Sequence, residues 1–289
     1  MATSVSGGFV ELLTRLRLTG TQSETAAARV TGIKDFLKSA FTMGEAPFTI
    51  GSYRRGTLIR PERDLDILAP FSYRYYKNRY DNNSRALLYL LRDRLNDGYA
   101  ATTVSSRQVA VVLDFTVIRA DVVPAFSRQG GGYLIPDGKK GWTSTNPPYH
   151  TNLIAERNLA LENHLTSLIR IMKFWNVQNG DHLFSFHVEL MVWRMWRGAT
   201  RLPSNYATRV AATLQTMPNW VRSEFPDPWV SGGQIDSYLR PDERARAVRM
   251  LAEDTKTATK ALTYQEQGST AKAFQSWDSV FRNGFPAYG

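Results

Sequence analysis

Short, strand-like runs of apolar residues occur only in the first half of this chain, and this asymmetry limits the possible folds more than any other feature. Four runs rich in Val, Ile, Leu and Phe cover residues 48–50, 65–69, 108–115 and 118–123. From Asn152 onward helical spacing replaces them, over 152–177, 184–198, 204–215, 232–239 and 241–267. The 289-residue chain is therefore predicted to be α+β, a small mixed sheet with helices followed by an all-helical half.

We expect the domain boundary near residue 150. Residues 127–150 hold a triple Gly, a Pro-Asp-Gly and a Pro-Pro, which is typical of a crossing between domains. Domain 1–150 would include two N-terminal helices, at 9–18 and 22–42, and a third around 87–95. Thr21 and Glu24 have the spacing of a capping box for the second of these helices. Domain 151–289 would end in a short accessible tail after Gly284 and Pro286.

Composition excludes several classes of protein. The chain has no Cys, which excludes disulfides, thiolate zinc sites and a Cys nucleophile. Its net charge of +10 predicts an anionic partner, either nucleotide phosphates or nucleic acid. The first 30 residues lack the apolar core of a signal peptide, and no run of about 18 apolar residues follows. We therefore expect a cytoplasmic protein without a membrane partner.

Acidic residues in the strand-like runs are the strongest indication of a catalytic or metal-binding site. A Gly51-Ser52 turn follows the first run, and Asp64 and Asp66 occupy alternate positions of the second. Alternate side chains of a strand share a face, so these two carboxylates would lie side by side. Such a pair is stable when divalent cations neutralise it, and Mg²⁺ prefers hard oxygen ligands. Asp121, in the fourth run, would complete a site for two metal ions.

Each of these motifs also has a simpler interpretation. The Asp64 and Asp66 pair can be an exposed strand edge, and Asp121 can be a solvated strand end. Asp114 is a nearby rival for the third acidic position. We prefer Asp121 because Val-Val-Pro-Ala-Phe follows it.

The order Gly-Ser, Asp-x-Asp and Asp121-Val-Val-Pro-Ala-Phe resembles the polymerase-β-type nucleotidyltransferase core. It is most similar to the branch of oligoadenylate synthases, cyclic GMP-AMP synthase and the bacterial CD-NTases. The resemblance implies an active site in a cleft between the core and a helical lobe. It also implies that Gly51 and Ser52 contact the triphosphate and that the three aspartates bind metal, with Asp121 acting on the attacking hydroxyl.

A second match lies in the helical half. Leu168-Ile-Arg-Ile-Met-Lys173-Phe-Trp resembles the Lys-containing helix of the same enzymes, and Phe184-Ser185-Phe186-His187 resembles the motif that follows it. The resemblance implies that Lys173 and Ser185 bind phosphate oxygens and that Phe186 stacks on the nucleobase. Many relatives have Tyr in place of Phe186, which leaves the base preference open. Without the resemblance, this segment is a core stripe and Lys173 a solvated neighbour.

The resemblance implies a cyclic oligonucleotide synthase of anti-phage (CBASS) defence, which joins nucleoside triphosphates into a cyclic di- or trinucleotide and releases pyrophosphate. Two Mg²⁺ ions would be the cofactors, with Mn²⁺ as a substitute, and ATP or GTP the substrates, with pyrimidine nucleotides also open. One alternative is a toxin-like nucleotidyltransferase acting on RNA ends or tRNA, and another is a non-catalytic nucleic-acid-binding relative. An RNA acceptor needs a basic track, for which the chain offers Arg54, Arg55, Arg60, Arg63, Arg74, Lys77 and Arg79.

Two further expectations concern partners. A chain without Cys has no counterpart of the zinc module with which animal cyclic GMP-AMP synthase senses DNA, so zinc-dependent DNA sensing is not expected. The chain ends in Gly289, and in some anti-phage operons a ubiquitin-activating-like and ligase-like partner conjugates the synthase through its last residue. By resemblance, Gly289 would be that attachment point. The other interpretation is that the chain simply happens to end at Gly.

Overall fold

The computed structural model describes residues 1–60 and 64–289. Arg63 of the suggested basic track lies outside the described residues. The helices are α1 (Val5–Leu16), α2 (Gly20–Ala40), α3 (Gly51–Arg55), α4 (Tyr73–Tyr80), α5 (Ser84–Gly98), α6 (Pro147–Ala160), α7 (Leu165–Gln178), α8 (Ser185–Trp196), α9 (Tyr206–Arg222), α10 (Pro241–Glu266) and α11 (Thr270–Val280). The strands are β1 (Phe48–Ile50), β2 (Asp64–Pro70), β3 (Thr103–Ser106), β4 (Val111–Asp114), β5 (Arg119–Ser127), β6 (Tyr133–Pro136) and β7 (Trp142–Thr145).

The chain forms two compact units. The sheet unit comprises residues 18–58 and the described residues up to Leu153, and the helical unit comprises residues 1–17, 59–60 and 154–289. The division after residue 153 falls close to the predicted boundary at 150. Residues 1–17 were predicted to belong to the first domain but belong to the helical unit, because α1 buries its apolar face among the helices of that unit.

The sheet unit is built on a mixed sheet with strand order β1-β2-β5-β4-β3, extended from β5 by the β6–β7 hairpin. β2 and β5 are parallel, and the other paired strands are antiparallel. One face of the sheet packs against α2 and α5, where Leu65 and Ile67 of β2 and Leu91 of α5 are fully buried. This mixed sheet with helices, followed by a helical unit, confirms the α+β prediction.

Aromatic packing stabilises the helical unit. Trp175 of α7 and Trp277 of α11 are fully buried, and the ring of Phe9 lies 5.0 Å from that of Trp277. Burying one such large side chain contributes about 1.5 to 3 kcal/mol. Phe285 packs 4.9 Å from Phe9 and so holds the C-terminal residues against α1. Among the described residues, no helix is both long and apolar enough to cross a bilayer.

Several predicted elements differ in detail. The helix predicted at 152–177 is two helices, because Glu162 and Asn163 take left-handed backbone angles between them. Residues 232–239 form turns rather than a helix, since the Asp236 carboxylate binds the Phe225 amide and the Arg244 guanidinium. Helix α4 and strands β3, β6 and β7 were not predicted as elements.

Both chain ends also differ from expectation. The capping box of α2 is formed by Thr19 and Gln22, two residues before the predicted pair. The last residues do not leave the body as a free tail. Ala2 donates to the Ala287 carbonyl at 3.2 Å and accepts from the Gly289 amide at 3.4 Å, so the chain end is paired with the N-terminus while Gly289 stays exposed.

Candidate active site

Three carboxylates and one guanidinium form a compact array on β2 and β5. The parallel register pairs Asp64 with Arg119 and Asp66 with Asp121. Neighbouring strands lie about 4.8 Å apart, and register partners point to the same face. The intervening residues, Leu65 and Ala120 among them, are fully buried on the opposite face. The hydrophobic alternation that builds the core therefore also brings the three predicted acids together.

Arg119 is the cation of this array. Its Nη2 donates to the Asp64 carboxylate, and its Nε lies 3.5 Å from Oδ1 of Asp121. Burial raises the pKa of the Asp121 carboxyl; Arg119 lowers it, and the Asp64 carboxylate raises it again. Within the described part of the chain, Oδ1 of Asp121 is buried and has no hydrogen-bond partner. A buried carboxylate oxygen in that state is a ready ligand for a cation.

Asp114, the rival third acid, lies on the far side of this array. It ends β4, where its register partner is Arg119, while Val112 is the partner of Asp121. Asp114 is exposed, and one strand separates it from Asp66. Its position favours Asp121 over Asp114 as the partner of the β2 acids.

The Gly51-Ser52 turn packs directly against Asp66. Ile50, the residue before the turn, is the register partner of Asp66 on β1. Gly51 has φ +65°, and a Cβ atom on it would lie 1.8 Å from Oδ2 of Asp66. A backbone hydrogen bond stabilises the turn: the amide of the buried Thr57 donates to the Ser52 carbonyl at 2.9 Å. Only glycine fits this position without displacing the carboxylate.

The donor set suits a hard divalent cation, since it consists of carboxylate oxygens, one of which is buried without a hydrogen bond among the described residues. In the conformation described for residues 1–60 and 64–289, no three acidic or imidazole side chains are close enough to share one ion. One of the three acids, Asp64, is held instead in the ion pair with Arg119. The three acids therefore fit a metal site from which the guanidinium would have to withdraw.

Lys173 lies in the helical unit, on α7, in a different setting from the predicted one. It is 1% exposed, and its ammonium group lies 3.5 Å from Oε1 of the fully buried Glu189 on α8. Two charges are stable inside a protein only when each has a partner of opposite charge. The structure thus shows a buried ion pair, where the resemblance implied a phosphate-binding lysine and the simpler interpretation a solvated one. The phosphate-binding role of Lys173 stays a prediction.

Ser185 is the first residue of α8 and is half-buried, as is Phe186. A hydroxyl at the start of a helix lies beside free backbone amides that favour anions. The neighbouring Phe184, to which no role was assigned from sequence, is 61% exposed and stacks on Tyr238 with ring centres 3.7 Å apart. The sequence signal for it is the Phe-Ser-Phe pattern, which places an aromatic ring on each side of Ser185.

A buried hydrogen-bond network supports this end of α8. The Tyr238 hydroxyl accepts from the Phe184 amide at 2.8 Å and lies 3.0 Å from Nδ1 of His187. Burial lowers the pKa of His187 to about 4, so its ring is neutral at pH 7. The network fixes Ser185 and Phe184 at the protein surface.

Comparison with known proteins gives the family context. Residues 2–158 match the family model described as the Second Messenger Oligonucleotide or Dinucleotide Synthetase domain. The cyclic AMP-AMP-AMP synthase of Acinetobacter sp. is 27% identical over 302 residues, which cover 96% of this chain and 84% of the relative. The cyclic AMP-AMP-GMP synthase of Enterobacter hormaechei is 21% identical over 360 residues, with coverage of 97% and 92%.

Solved structures show the same fold. CdnC of E. coli MS115-1 with ATP matches with a TM-score of 0.80 at 15% identity, covering 98% of this chain and 99% of that chain. The same protein in complex with HORMA-deltaN matches with a TM-score of 0.79 at 16% identity, covering 98% of both chains.

Proposed function

Because the chain belongs to the Second Messenger Oligonucleotide or Dinucleotide Synthetase family, we propose that it joins nucleoside triphosphates into a cyclic di- or trinucleotide and releases pyrophosphate. The chain is an enzyme of the nucleotidyltransferase class, as its relatives are. The observation that carries the proposal is the array in which Asp66 and Asp121 are register partners on parallel strands, with the Gly51 turn packed against Asp66. ATP and GTP are the proposed substrates, since the names of the relatives contain AMP and GMP.

We propose that Asp64, Asp66 and Asp121 hold two divalent cations, Mg²⁺ or Mn²⁺. The chemistry that these ions supply when bound is activation of the ribose hydroxyl and neutralisation of charge on the pyrophosphate. Asp121 is suited to receive the hydroxyl proton, because burial raises its pKa and Oδ1 has no hydrogen-bond partner among the described residues. The carboxylate would bind a proton there more readily than an exposed aspartate does.

The proposed nucleotide contacts come from the Gly51-Ser52 turn and from the residues at the start of α8. Gly51 and Ser52 would hold the triphosphate beside the metal site, and Ser185 would donate its hydroxyl to phosphate oxygens. Lys173 would reach a phosphate only by exchanging part of its interaction with Glu189 for the new one. Phe186 would stack on the nucleobase, and the exposed ring of Phe184 offers a second stacking surface.

The biological setting is proposed on the same basis. We place the enzyme in the cytoplasm, in anti-phage (CBASS) signalling, with a protein partner that controls it. The structural neighbour CdnC has been solved in complex with HORMA-deltaN, which supports a protein partner of some kind. Conjugation through Gly289 remains part of the proposal, because that residue is exposed even though its amide is bound to Ala2. Mass spectrometry of the C-terminal peptide from challenged native cells tests it, and a free carboxylate in every copy would contradict it.

One assay separates the proposed function from its alternatives. The protein is incubated with labelled ATP, GTP and Mg²⁺, and the products are digested with phosphatase. A resistant labelled product is expected, and the Asp64→Asn, Asp66→Asn double variant should lose it without loss of folding. Label transferred to added RNA would instead indicate the RNA-modifying alternative. No labelled product under any condition would favour a binding protein.

A further inference from the structure

A cavity of about 550 Å³ in the helical unit has no role in the proposed reaction. One wall is the turn between α6 and α7, residues 160–164, and the other is the segment 200–204 that precedes α9. Arg209, in the first turns of α9, and Arg201 both line it. The two long helices α7 and α9 begin at this cavity, and a helix N-terminus carries partial positive charge.

The turn that forms one wall is held rigidly. Glu162 and Asn163 have φ values of 54° and 63°, which are unfavourable for residues with a side chain. Asn158 maintains them, since its Oδ1 accepts from the amide of Thr166 at 3.0 Å and its Nδ2 donates to Oδ1 of Asn163 at 3.0 Å. A strained turn persists only where surrounding contacts determine it, and such turns are frequent at ligand sites.

Arg209 is the observation that points to a ligand. It is only 4% exposed; its Nε donates to the Pro203 carbonyl at 2.6 Å, and its guanidinium lies 4.6 Å from the ring centre of Tyr206. Among the residues that the structure describes, its Nη1 is buried without any hydrogen-bond acceptor. A buried guanidinium N–H group is normally satisfied, so this one would gain an acceptor if the cavity wall opened enough for a ligand oxygen to reach it.

The charges around the cavity favour an anion. Arg209 and Arg201 face one acidic lining residue, Glu162, which forms no ion pair with Arg209 in the described ranges. Burial lowers the pKa of Arg209, against smaller raising effects of Tyr206 and Glu162. Burial and then Arg209 lower the pKa of His164, against a smaller raising effect of Glu162. Removal from water is thus the largest effect on both groups, and Glu162 offsets only part of it.

We propose that this cavity binds a small oxyanion, a phosphate or a phosphate monoester, through Arg209 and Arg201. A planar guanidinium with a free N–H group matches the geometry of phosphate oxygens. The residues of this site belong to other elements than the acids of β2 and β5. Anion binding there does not depend on the proposed reaction. A phosphate there would also stabilise the helical unit, because it would neutralise the buried guanidinium.

The test is calorimetric titration of metal-free protein, in phosphate-free buffer, with inorganic phosphate and separately with AMP. Arg201→Gln and Arg209→Gln should each weaken binding about tenfold, the loss expected for one charge-assisted hydrogen bond. Arg222→Gln, an exposed change at the other end of α9, is the matched control and should bind as the parent does. Binding of both probes would assign the site to the phosphate group alone, and binding of AMP only would assign it to a phosphate monoester with its nucleoside.

Two results would overturn the proposal. One is equal affinity in the parent, Arg201→Gln and Arg209→Gln proteins. The other is a loss of binding in Ser185→Ala and not in the arginine variants, which would assign the anion to the α8 site. Since Arg209→Gln removes a structural hydrogen bond, its folding is checked by thermal unfolding. If it fails to fold, the exposed Arg201 decides the question alone.

Discussion

Arg119 forms an ion pair with Asp64, its register partner on the neighbouring parallel strand. The same guanidinium approaches Asp121, so one arginine serves two of the three carboxylates proposed to bind metal. A cation that belongs to the chain thus lies where the proposed function requires divalent ions. In the metal-free enzyme the guanidinium reduces the repulsion between the neighbouring carboxylates. It therefore competes with a metal ion for the same oxygens.

Replacement of this competitor should strengthen metal binding. For Arg119→Gln we expect Mn²⁺ affinity without nucleotide to increase about two- to fivefold, the scale of one partly exposed ion pair. Electron paramagnetic resonance of free Mn²⁺ measures this directly. Arg92→Gln, which removes the ion pair with Asp93 in the same unit, should leave the affinity unchanged. Weaker Mn²⁺ binding in Arg119→Gln would show instead that the arginine positions the carboxylates.

The Gly51 turn allows a matched comparison of two glycines. In Gly51→Ala the new Cβ would collide with Oδ2 of Asp66, so we expect product formation to fall at least about a hundredfold, the scale of losing a positioned group at a reacting centre. Gly130 also has positive φ, at +86°, but among the described residues no atom beyond its own chain neighbours lies within 4 Å of a Cβ placed there. Gly130→Ala should therefore share the backbone strain and keep its activity. Similar losses in both variants would point to strain alone.

The buried pair of Lys173 and Glu189 can be separated from nucleotide binding. Lys173→Ala leaves a buried carboxylate without this partner and should lower the free energy of unfolding by about 3 to 5 kcal/mol. The double variant Lys173→Met, Glu189→Leu should recover most of that stability, because both charges are gone. Calorimetry with ATP then decides the role of the lysine. If the stable double variant binds ATP as tightly as the parent, Lys173 does not contact phosphate.

Stability should depend on His187 in acid. Because burial lowers its pKa from 6.5 to about 4, the unfolded chain binds more protons than the folded one between these values. Its contribution to stability is complete above pH 6.5 and is lost as the pH falls toward 4, by up to about 3 kcal/mol. Urea unfolding from pH 4 to 7.5 measures this, and His187→Gln should flatten the curve. An unchanged slope in His187→Gln would place the acid sensitivity elsewhere.

The sequence was sufficient to predict strands and helices in segments where the apolar residues alternate or recur with a clear helical period. Strand β2 reads as Asp-x-Asp over alternating buried residues, so its register with β5 follows once the two strands are parallel neighbours. Strands β6 and β7 could not be read from apolar runs, since they hold only four residues each between glycines and prolines. The break between α6 and α7 has no Gly or Pro; it depends on the side chain of Asn158, whose partners Asn163 and Thr166 lie 5 and 8 residues further along the chain.

For the site, spacing predicted that Asp64 and Asp66 share one face of a strand, but not how the side chains of the site are paired. Neither the counterion role of Arg119 nor the burial of Lys173 follows from spacing, because an ion pair depends on the rotamers of both partners. The orphan N–H group of Arg209 is likewise visible only when every neighbour of a side chain is known.

The central claim, that the acids of β2 and β5 catalyse nucleotide joining, is tested most directly by comparing Asp121→Asn with Asp114→Asn. Both variants remove one carboxylate from the same face of the sheet with almost no change in volume, and only Asp121 is the register partner of Asp66. Phosphatase-resistant product from ATP and GTP is quantified by mass spectrometry for each. The account predicts that Asp121→Asn loses at least about a hundredfold, the scale of a removed catalytic group, while Asp114→Asn stays near the parent. A fully active Asp121→Asn protein would contradict it.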